Sequence, residues 1–216
     1  MANVQTPISD LRHIRQLMER SRYFIGLSGL SGVGAGVSAL LGVAVILAYQ
    51  AASPGPVTYA LRTPGQVVDH PWGIAPIPML ILLGGLVLLG ALASTFFFTY
   101  RRVTRMGYAM ADAKTYTLIF NLAVPLAIGG VFCLALLYHG FAGLIGPTTI
   151  LFYGLALLNG SNFVSEGLRT LAYLEIILGL VALFAIGYGL YFWAVGFGLF
   201  HIGYGLWMYY KYDTHE

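Results

Sequence analysis

The chain has 216 residues, of which 58% are hydrophobic and only 9% are charged. Soluble domains carry about 25% charged residues, so this composition excludes an ordinary soluble protein and indicates an integral membrane protein. The formal net charge of +3 does not indicate a nucleic-acid partner, because no soluble segment combines a basic run with interleaved aromatic side chains.

Long apolar runs without polar alternation dominate the chain, and in lipid such runs form helices rather than barrel strands. About twenty apolar residues, at roughly 1.5 Å each, cover the hydrocarbon core of a bilayer. We therefore predict one all-α membrane domain over residues 1–216. Its six transmembrane helices are predicted at residues 23–50, 77–100, 115–138, 141–158, 169–187 and 190–210.

Residues 1–22 are the polar stretch before the first span. Ile8, Leu11 and Ile14 recur at helical spacing, while Arg12 and Arg15 lie elsewhere on the helical wheel. This pattern predicts a basic amphipathic helix that lies on the cytoplasmic surface of the membrane and contacts acidic lipid headgroups. The alternative is a plain basic anchor that orients the first span.

The first span is rich in small residues. They form two rows at four-residue spacing, Ser28/Gly32/Gly36 and Gly34/Ser38/Gly42. Small residues let the backbones of neighbouring membrane helices approach closely. Two such rows predict two close helix neighbours for this span.

The basic segment 10–21, Asp-Leu-Arg-His-Ile-Arg-Gln-Leu-Met-Glu-Arg-Ser, leads toward Leu-Ser-Gly-Leu-Ser-Gly at 27–32. This combination resembles the N-terminal region of a group of uncharacterised bacterial multi-span membrane proteins. The resemblance covers the first fifth of the chain, and the remainder agrees in span pattern. It implies a multi-pass protein of the bacterial inner membrane, and it implies no activity, substrate or site residue.

The composition changes between the first two spans. Residues 51–76 contain prolines at positions 54, 56, 64, 71 and 76, which exclude a long helix there. We therefore predict a Pro-rich loop on the extracytoplasmic side of the membrane.

The third span contains Asn121 and, four residues later, Pro125. Proline has no backbone N–H, so the carbonyl of Asn121 loses its helical donor and the helix is expected to kink. The fourth span is short and has Pro147 near its start. The fourth span either crosses the membrane fully or forms a partly re-entrant segment.

Residues 171–210 form an almost unbroken apolar run of forty residues, which is about twice the length that one membrane helix needs. We predict a helical hairpin with its turn near Gly187, Tyr188 and Gly189, because glycine tolerates the reversal. The pattern Gly-aromatic-Gly-Leu recurs at 187–190, 196–199 and 203–206. At least one face of the last helix is therefore expected to pack on protein.

The basic residues indicate the orientation of the predicted spans. With the N-terminus in the cytoplasm, ten of the eleven Lys and Arg residues lie on the cytoplasmic side and only Arg62 lies outside. Cytoplasmic loops of multi-span proteins carry such an excess. We therefore predict six spans with both termini in the cytoplasm.

Two ionisable groups, Glu175 and His201, interrupt the last two spans. At 1.5 Å per residue, Glu175 lies roughly 9 Å into the fifth span, with Asn121 at about the same depth and His201 about a turn deeper. Glycine and alanine share the helix faces of Glu175 and His201, which predicts that both side chains face protein rather than lipid. A buried carboxylate costs several kcal/mol unless it is paired. Glu175, His201 and Asn121 are therefore the candidate ligand- or proton-binding residues, and interhelical hydrogen bonding is the alternative.

We predict an integral membrane binding or regulatory module that presents a basic cytoplasmic face to lipid or to a protein partner. The residues of this face are Arg12, Arg15, Arg101, Arg102 and Arg105. The alternative is a small transporter or channel component with a proton- or cation-responsive site at Glu175. An intramembrane enzyme comes third.

The expected partners are membrane lipids, together with a protein partner or a second copy of the chain. We predict no catalytic residue, metal site or bound cofactor. His139 and His201 lie at different membrane depths and do not match a pair of haem ligands. The sequence also has no serine, histidine and acid in a triad arrangement.

Overall fold

The computed structural model describes residues 28–52, 71–105, 113–164 and 166–213. Every regular element among these residues is a helix. The predicted amphipathic helix with Arg12 and Arg15, and most of the predicted Pro-rich loop, lie outside the described residues.

Within the described ranges, six helices are long and apolar enough to cross a membrane, which confirms the all-helical membrane class. They are α1 Gly29–Ala51, α2 Pro76–Arg105, α3 Ala113–Tyr138, α4 Ile145–Gly160, α5 Glu166–Phe184 and α6 Gly189–Lys211. A short 3-10 turn, Ala142–Leu144, precedes α4 and extends it to a crossing length.

Several helix boundaries differ from the predicted ones by a few residues, and two of these differences lengthen helices beyond their apolar residues. α2 continues through the arginines to Arg105 instead of ending at residue 100, and α5 begins at Glu166 instead of residue 169. Arginine and glutamate are good helix formers, so a helix does not have to end where its apolar residues end. Both additional turns lie at the same end of the bundle, because consecutive helices alternate in direction. We call this end, with Arg101, Arg105, Arg169 and Lys211, the basic end.

The predicted hairpin between the last two spans is confirmed. α5 ends at Phe184, and α6 begins at Gly189. Gly187 lies in the turn with a backbone φ of 104°, which a residue with a side chain rarely adopts. The glycine therefore permits the reversal that the sequence pattern indicated.

The two small-residue rows of α1 contact two different helices. Gly34 faces α2, where an added Cβ would overlap the side chain of Ser94. Gly32 faces α6, where an added Cβ would lie 3.2 Å from the Cα of Gly205. The prediction of two close neighbours is confirmed, and α1 lies between α2 and α6.

A second close pair is formed by α4 and α5. An added Cβ on Gly154 would lie 2.8 Å from the backbone nitrogen of Ile176, and one on Gly179 would lie 2.8 Å from that of Leu151. α6 contacts this pair as well as α1, while α3 packs principally on α4. The lateral order of the helices is therefore α2, α1, α6, the α4/α5 pair and α3.

Pro125 connects α3 to α4 through the carbonyl group that it leaves without a helical donor. The side-chain amide of Asn159 on α4 donates a hydrogen bond to the backbone carbonyl of Asn121, with an N···O distance of 2.8 Å. An amide on one helix thus satisfies the acceptor that the proline exposes on the next.

α6 changes its winding in the middle of the span. The α-helical segment Gly189–Trp193 passes into a π-helical segment, Ala194–Phe200, before the α-helix resumes as His201–Met208. A second π-helical segment, Tyr209–Asp213, follows. π-Helical turns are rare and occur often at functional sites. The first of these two segments ends directly before His201.

Candidate functional site

Glu175 of α5 and His201 of α6 lie side by side inside the bundle. The Nδ1 atom of His201 is 3.6 Å from the Oε1 atom of Glu175. Glu175 is fully buried, and His201 retains 7% of its accessible surface. The expectation that both side chains face protein is therefore confirmed.

Two hydrogen bonds hold the imidazole ring of His201. Its Nδ1 atom lies 3.0 Å from the carbonyl oxygen of Gly196, and its Nε2 atom lies 2.6 Å from the hydroxyl oxygen of Tyr153 on α4. A carbonyl group only accepts hydrogen bonds, so we assign the proton of the neutral ring to Nδ1. The Tyr153 hydroxyl then donates to Nε2. The ring is thus fixed by α4 on one side and by its own helix on the other.

The acceptor for the Nδ1 proton comes from the π-helical segment. Gly196 lies within this segment, and its carbonyl accepts from a side chain five residues further along the chain. Irregular winding of this kind accompanies side chains that enter the backbone hydrogen-bond ladder. The local winding of α6 and the orientation of the His201 ring are therefore parts of one arrangement.

Glycines on two helices make room for the Glu175 side chain. An added Cβ on Gly196 would lie 2.5 Å from the Oε2 atom of Glu175, and one on Gly154 would lie 3.0 Å from its Cβ. A larger residue at Gly196 would displace the carboxyl group. The carboxyl group is thus enclosed by close backbones.

Within the part of the chain that the structure describes, neither carboxyl oxygen of Glu175 has a hydrogen-bond partner. The 3.6 Å separation from His201 is longer than an N–H···O hydrogen bond, which spans about 2.7–3.2 Å. A buried carboxylate without hydrogen-bond donors loses its hydration and gains no hydrogen bonds that would compensate for the loss. Its charge state is therefore sensitive to any proton, cation or ring movement next to it.

Aromatic rings surround the imidazole. The ring centroids of Tyr153 and His201 are 5.2 Å apart, those of Tyr153 and Phe197 are 4.9 Å apart, and those of Trp193 and Phe197 are 4.8 Å apart. Such pairs contribute about 0.5–1.5 kcal/mol each beyond the area that they bury. The stack fixes the ring of Tyr153 as well as that of His201.

A buried apolar cluster lies between Glu175 and the basic end of the bundle. It consists of Leu118, Leu157, Val164, Leu168, Leu171 and Ala172. Arg169 is exposed at that end, and its guanidinium donates a hydrogen bond to the Oδ1 atom of Asn162 at 2.9 Å. The guanidinium group and the carboxyl group are thus separated by apolar side chains.

Glu175 and His201 lie together in the structure, whereas Asn121 makes its hydrogen bonds with other residues. The side-chain amide of Asn121 donates to the carbonyl oxygen of Thr117 on its own helix, at 2.8 Å. Its backbone carbonyl accepts from Asn159 on α4. The helix of Asn121 packs principally on α4 rather than on α5 or α6, so the similar depth predicted for Asn121 and Glu175 does not bring them together.

The predicted basic face is described in part. Arg101 and Arg105 are exposed at the end of α2, and Arg102 is half-buried there. Arg12 and Arg15 lie outside the described residues.

Sequence reasoning missed Tyr153 and the role of Gly196. One signal for Tyr153 was present, because a phenol in the middle of a short apolar span needs a hydrogen-bond partner. Gly196 was noticed only as part of the repeated Gly-aromatic-Gly-Leu pattern. The use of its carbonyl depends on the π winding of α6, and we find no sequence signal for that winding.

The fold and the site together define an all-helical membrane protein in which a phenol, an imidazole and a carboxyl group lie in one line of contacts. Among the described residues, no group of three or more His, Cys, Asp or Glu side chains is placed to hold a metal ion. No family model, curated protein or solved structure matches the chain.

Proposed function

We propose that the protein is a small transporter or channel component of a bacterial inner membrane, with a proton- or cation-responsive site at Glu175. The observation that carries the proposal is the fully buried carboxyl group, which has no hydrogen-bond partner among the described residues and lies 3.6 Å from His201. Ionisable groups inside membrane helices mark ion and proton pathways. The distribution of Lys and Arg supports cytoplasmic termini.

A purely structural role for Glu175 and His201, as an interhelical hydrogen-bonded pair, agrees less well with the geometry. Interhelical hydrogen bonds in membranes contribute roughly 1 kcal/mol when donor and acceptor meet. Nδ1 of His201 donates to Gly196 at 3.0 Å and lies further from Glu175, at 3.6 Å. The carboxyl group is therefore held close to a donor without being satisfied by it.

Ion flux in reconstituted vesicles tests the proposal. We expect the native chain to carry protons or cations at a rate that depends on pH. Glu175→Gln is expected to abolish this flux, because glutamine keeps the shape of the side chain and removes the titrating group. Glu166→Gln, the same change at the first residue of α5, is the matched control and is expected to retain flux. Native-like flux in folded Glu175→Gln, or no flux from the native chain, contradicts the proposal.

The second candidate is a binding or regulatory module with a basic face. The exposed Arg101 and Arg105 favour it, because α2 continues beyond its apolar residues to Arg105. Arg12 and Arg15 are further predicted members of this face.

A comparison of the double variant Arg101→Gln/Arg105→Gln with Glu175→Gln in the same vesicles distinguishes the two candidate functions. A basic module that contacts lipid loses its stabilisation by anionic lipid in the arginine variant and is unaffected by the glutamate variant. In a transporter, the glutamate substitution has the larger effect and abolishes flux, whereas the arginine substitutions have the smaller effect.

A further inference from the structure

Three polar groups form one line of contacts. Tyr153 is half-buried, His201 retains 7% of its surface and Glu175 retains 0%. The Tyr153 hydroxyl oxygen lies 2.6 Å from Nε2 of His201, and Nδ1 of the same ring lies 3.6 Å from Oε1 of Glu175. The imidazole thus lies between the phenol of α4 and the carboxyl group of α5.

The atoms around the carboxyl group suit a proton better than a metal cation. Calcium and magnesium ions take about six or more oxygen ligands. Among the described residues, no further His, Cys, Asp or Glu joins Glu175 and His201 in a group that could hold a metal ion. The nearest imidazole nitrogen carries a hydrogen and therefore offers no lone pair to a cation.

We infer that the ligand of this site is the proton, and that Tyr153 and His201 form the relay that delivers it to Glu175. The inference rests on the proposed function and specifies the ligand and its path. Tyr153 acts as the first proton donor, His201 carries the proton across its ring, and Glu175 is the acceptor.

The transfer balances without any further reactant. The hydroxyl proton of Tyr153 moves to Nε2 of His201 while the Nδ1 proton moves to Oε1 of ionised Glu175. An incoming proton binds the Tyr153 oxygen and restores the hydroxyl group. The imidazole remains neutral and exchanges one tautomer for the other, and the net change is one proton gained by Glu175.

The carbonyl of Gly196 prepares the ring for this transfer. Because this carbonyl only accepts hydrogen bonds, it favours the tautomer with the proton on Nδ1. That is the tautomer that can donate toward Glu175. Gly196 is therefore a positioning residue, and it acts through His201 rather than on the proton itself.

Other groups near the pair come from each helix that packs against it. α6 contributes Tyr204, which packs against the apolar cluster, and α3 contributes Leu118 and Leu122 to the same region. α1 approaches α6 with Gly32, where an added Cβ would lie 3.2 Å from the carbonyl oxygen of His201. The cation of α5, Arg169, bonds to Asn162 at the basic end.

Infrared difference spectroscopy of the full chain in lipid vesicles tests the relay. A protonated carboxyl group gives a C=O stretching band that disappears on ionisation. We expect one such band to respond to pH in the native chain and to be missing in Glu175→Gln, which assigns it. The rate at which this band appears after a rapid drop in pH measures proton delivery to Glu175.

Tyr153→Phe is the decisive variant, because it keeps the ring and its stacking on Phe197 and removes only the hydroxyl group. We expect the band to appear on the order of a hundredfold more slowly, in line with the loss of one positioned acid or base. Tyr173→Phe is the matched control, since Tyr173 is exposed two residues from Glu175 on the same helix. Its rate is expected to remain native.

His201→Gln is the second variant, and circular dichroism verifies that each variant retains its helices. We expect slow delivery in this variant too, because it removes the side chain between Tyr153 and Glu175. Native rates in both folded variants would overturn the relay and leave the proposed function intact.

Two further outcomes overturn the inference in different ways. A Glu175 band that is insensitive to pH but changes with sodium or potassium chloride would identify the ligand as a metal cation, and flux that depends on Glu175 would still support the proposed function. An insensitive band together with flux that is independent of Glu175 would overturn the inference and the proposed function together.

Discussion

Gly196 combines two tasks at the level of a single residue. Its carbonyl accepts the Nδ1 proton of His201, and its missing side chain leaves room for the Oε2 atom of Glu175. The residue is therefore required both for the hydrogen-bond acceptor that its backbone supplies and for the volume that it leaves empty.

We expect Gly196→Ala to destabilise the protein by about 1–3 kcal/mol, the usual cost of forcing a methyl group into a closely packed site. The added Cβ would lie 2.5 Å from the Oε2 atom of Glu175. Unfolding in mixed detergent micelles, followed by circular dichroism, measures the free energy of unfolding.

Gly203→Ala is the matched control on the same helix, because an added Cβ there has no neighbour within 4 Å. Alanine is the better helix former by about 1 kcal/mol, so this variant is expected to be neutral or slightly stabilised. Equal effects of the two substitutions would contradict the close packing of Gly196 on Glu175.

Two kinds of contact hold neighbouring helices together, close glycine packing and an interhelical hydrogen bond. Glycine contacts bring α1 to α6 and α4 to α5 at backbone distance. Between α3 and α4 the contact is a hydrogen bond from Asn159 to the backbone carbonyl of Asn121. Pro125 leaves this carbonyl without its helical donor. In lipid an unpaired carbonyl is costly, so a proline within a membrane helix has to find a donor outside its own ladder.

We expect Asn159→Ala to reduce the free energy of unfolding by roughly 1 kcal/mol, the typical contribution of an interhelical hydrogen bond in a membrane protein. In a Pro125→Ala background the backbone N–H of residue 125 pairs with the Asn121 carbonyl again. The same Asn159→Ala change is then expected to cost much less.

A double-mutant cycle in mixed micelles measures this coupling between Asn159 and Pro125. Strictly additive effects of the two substitutions would show that the freed carbonyl does not depend on Asn159. The hydrogen bond would then contribute nothing measurable to the packing of α3 on α4.

The lateral order of the six helices explains why the site lies where it does. α2 packs principally on α1, and α3 packs principally on α4, whereas α5 and α6 meet between these outer helices. Glu175 and His201 are on α5 and α6, inside this order, and Arg101 and Arg105 are on the outer helix α2. The two candidate functions therefore use different parts of the bundle.

The topology of the whole molecule is tested by cysteine labelling in a Cys133→Ala background, which removes the single natural thiol. His139 lies in the exposed turn after α3, and Asn162 lies in the exposed turn after α4. We expect His139→Cys to react with a membrane-impermeant maleimide added outside intact cells, and Asn162→Cys to react only after the membrane is opened. The opposite pattern would place both termini outside the cytoplasm.

Local residue chemistry is sufficient to predict much of this fold. The two small-residue rows of α1, the glycine turn at Gly187 and the unpaired carbonyl before Pro125 each follow from properties of a few neighbouring residues. Helical periodicity likewise predicts that Glu175 and His201 face protein. These features depend on backbone geometry and on side-chain size, which are local.

The partners of the site residues depend on which helices are neighbours, and periodicity does not specify this. The sequence predicts similar membrane depths for Asn121 and Glu175. Only His201 is brought to the carboxyl group, because α6 packs on α5 whereas α3 packs principally on α4. Tyr153 joins the site from α4, 48 residues before His201 in the chain. Lipid is as apolar as the helix surfaces, so close packing and polar contacts between distant residues, rather than burial from water, select the neighbours.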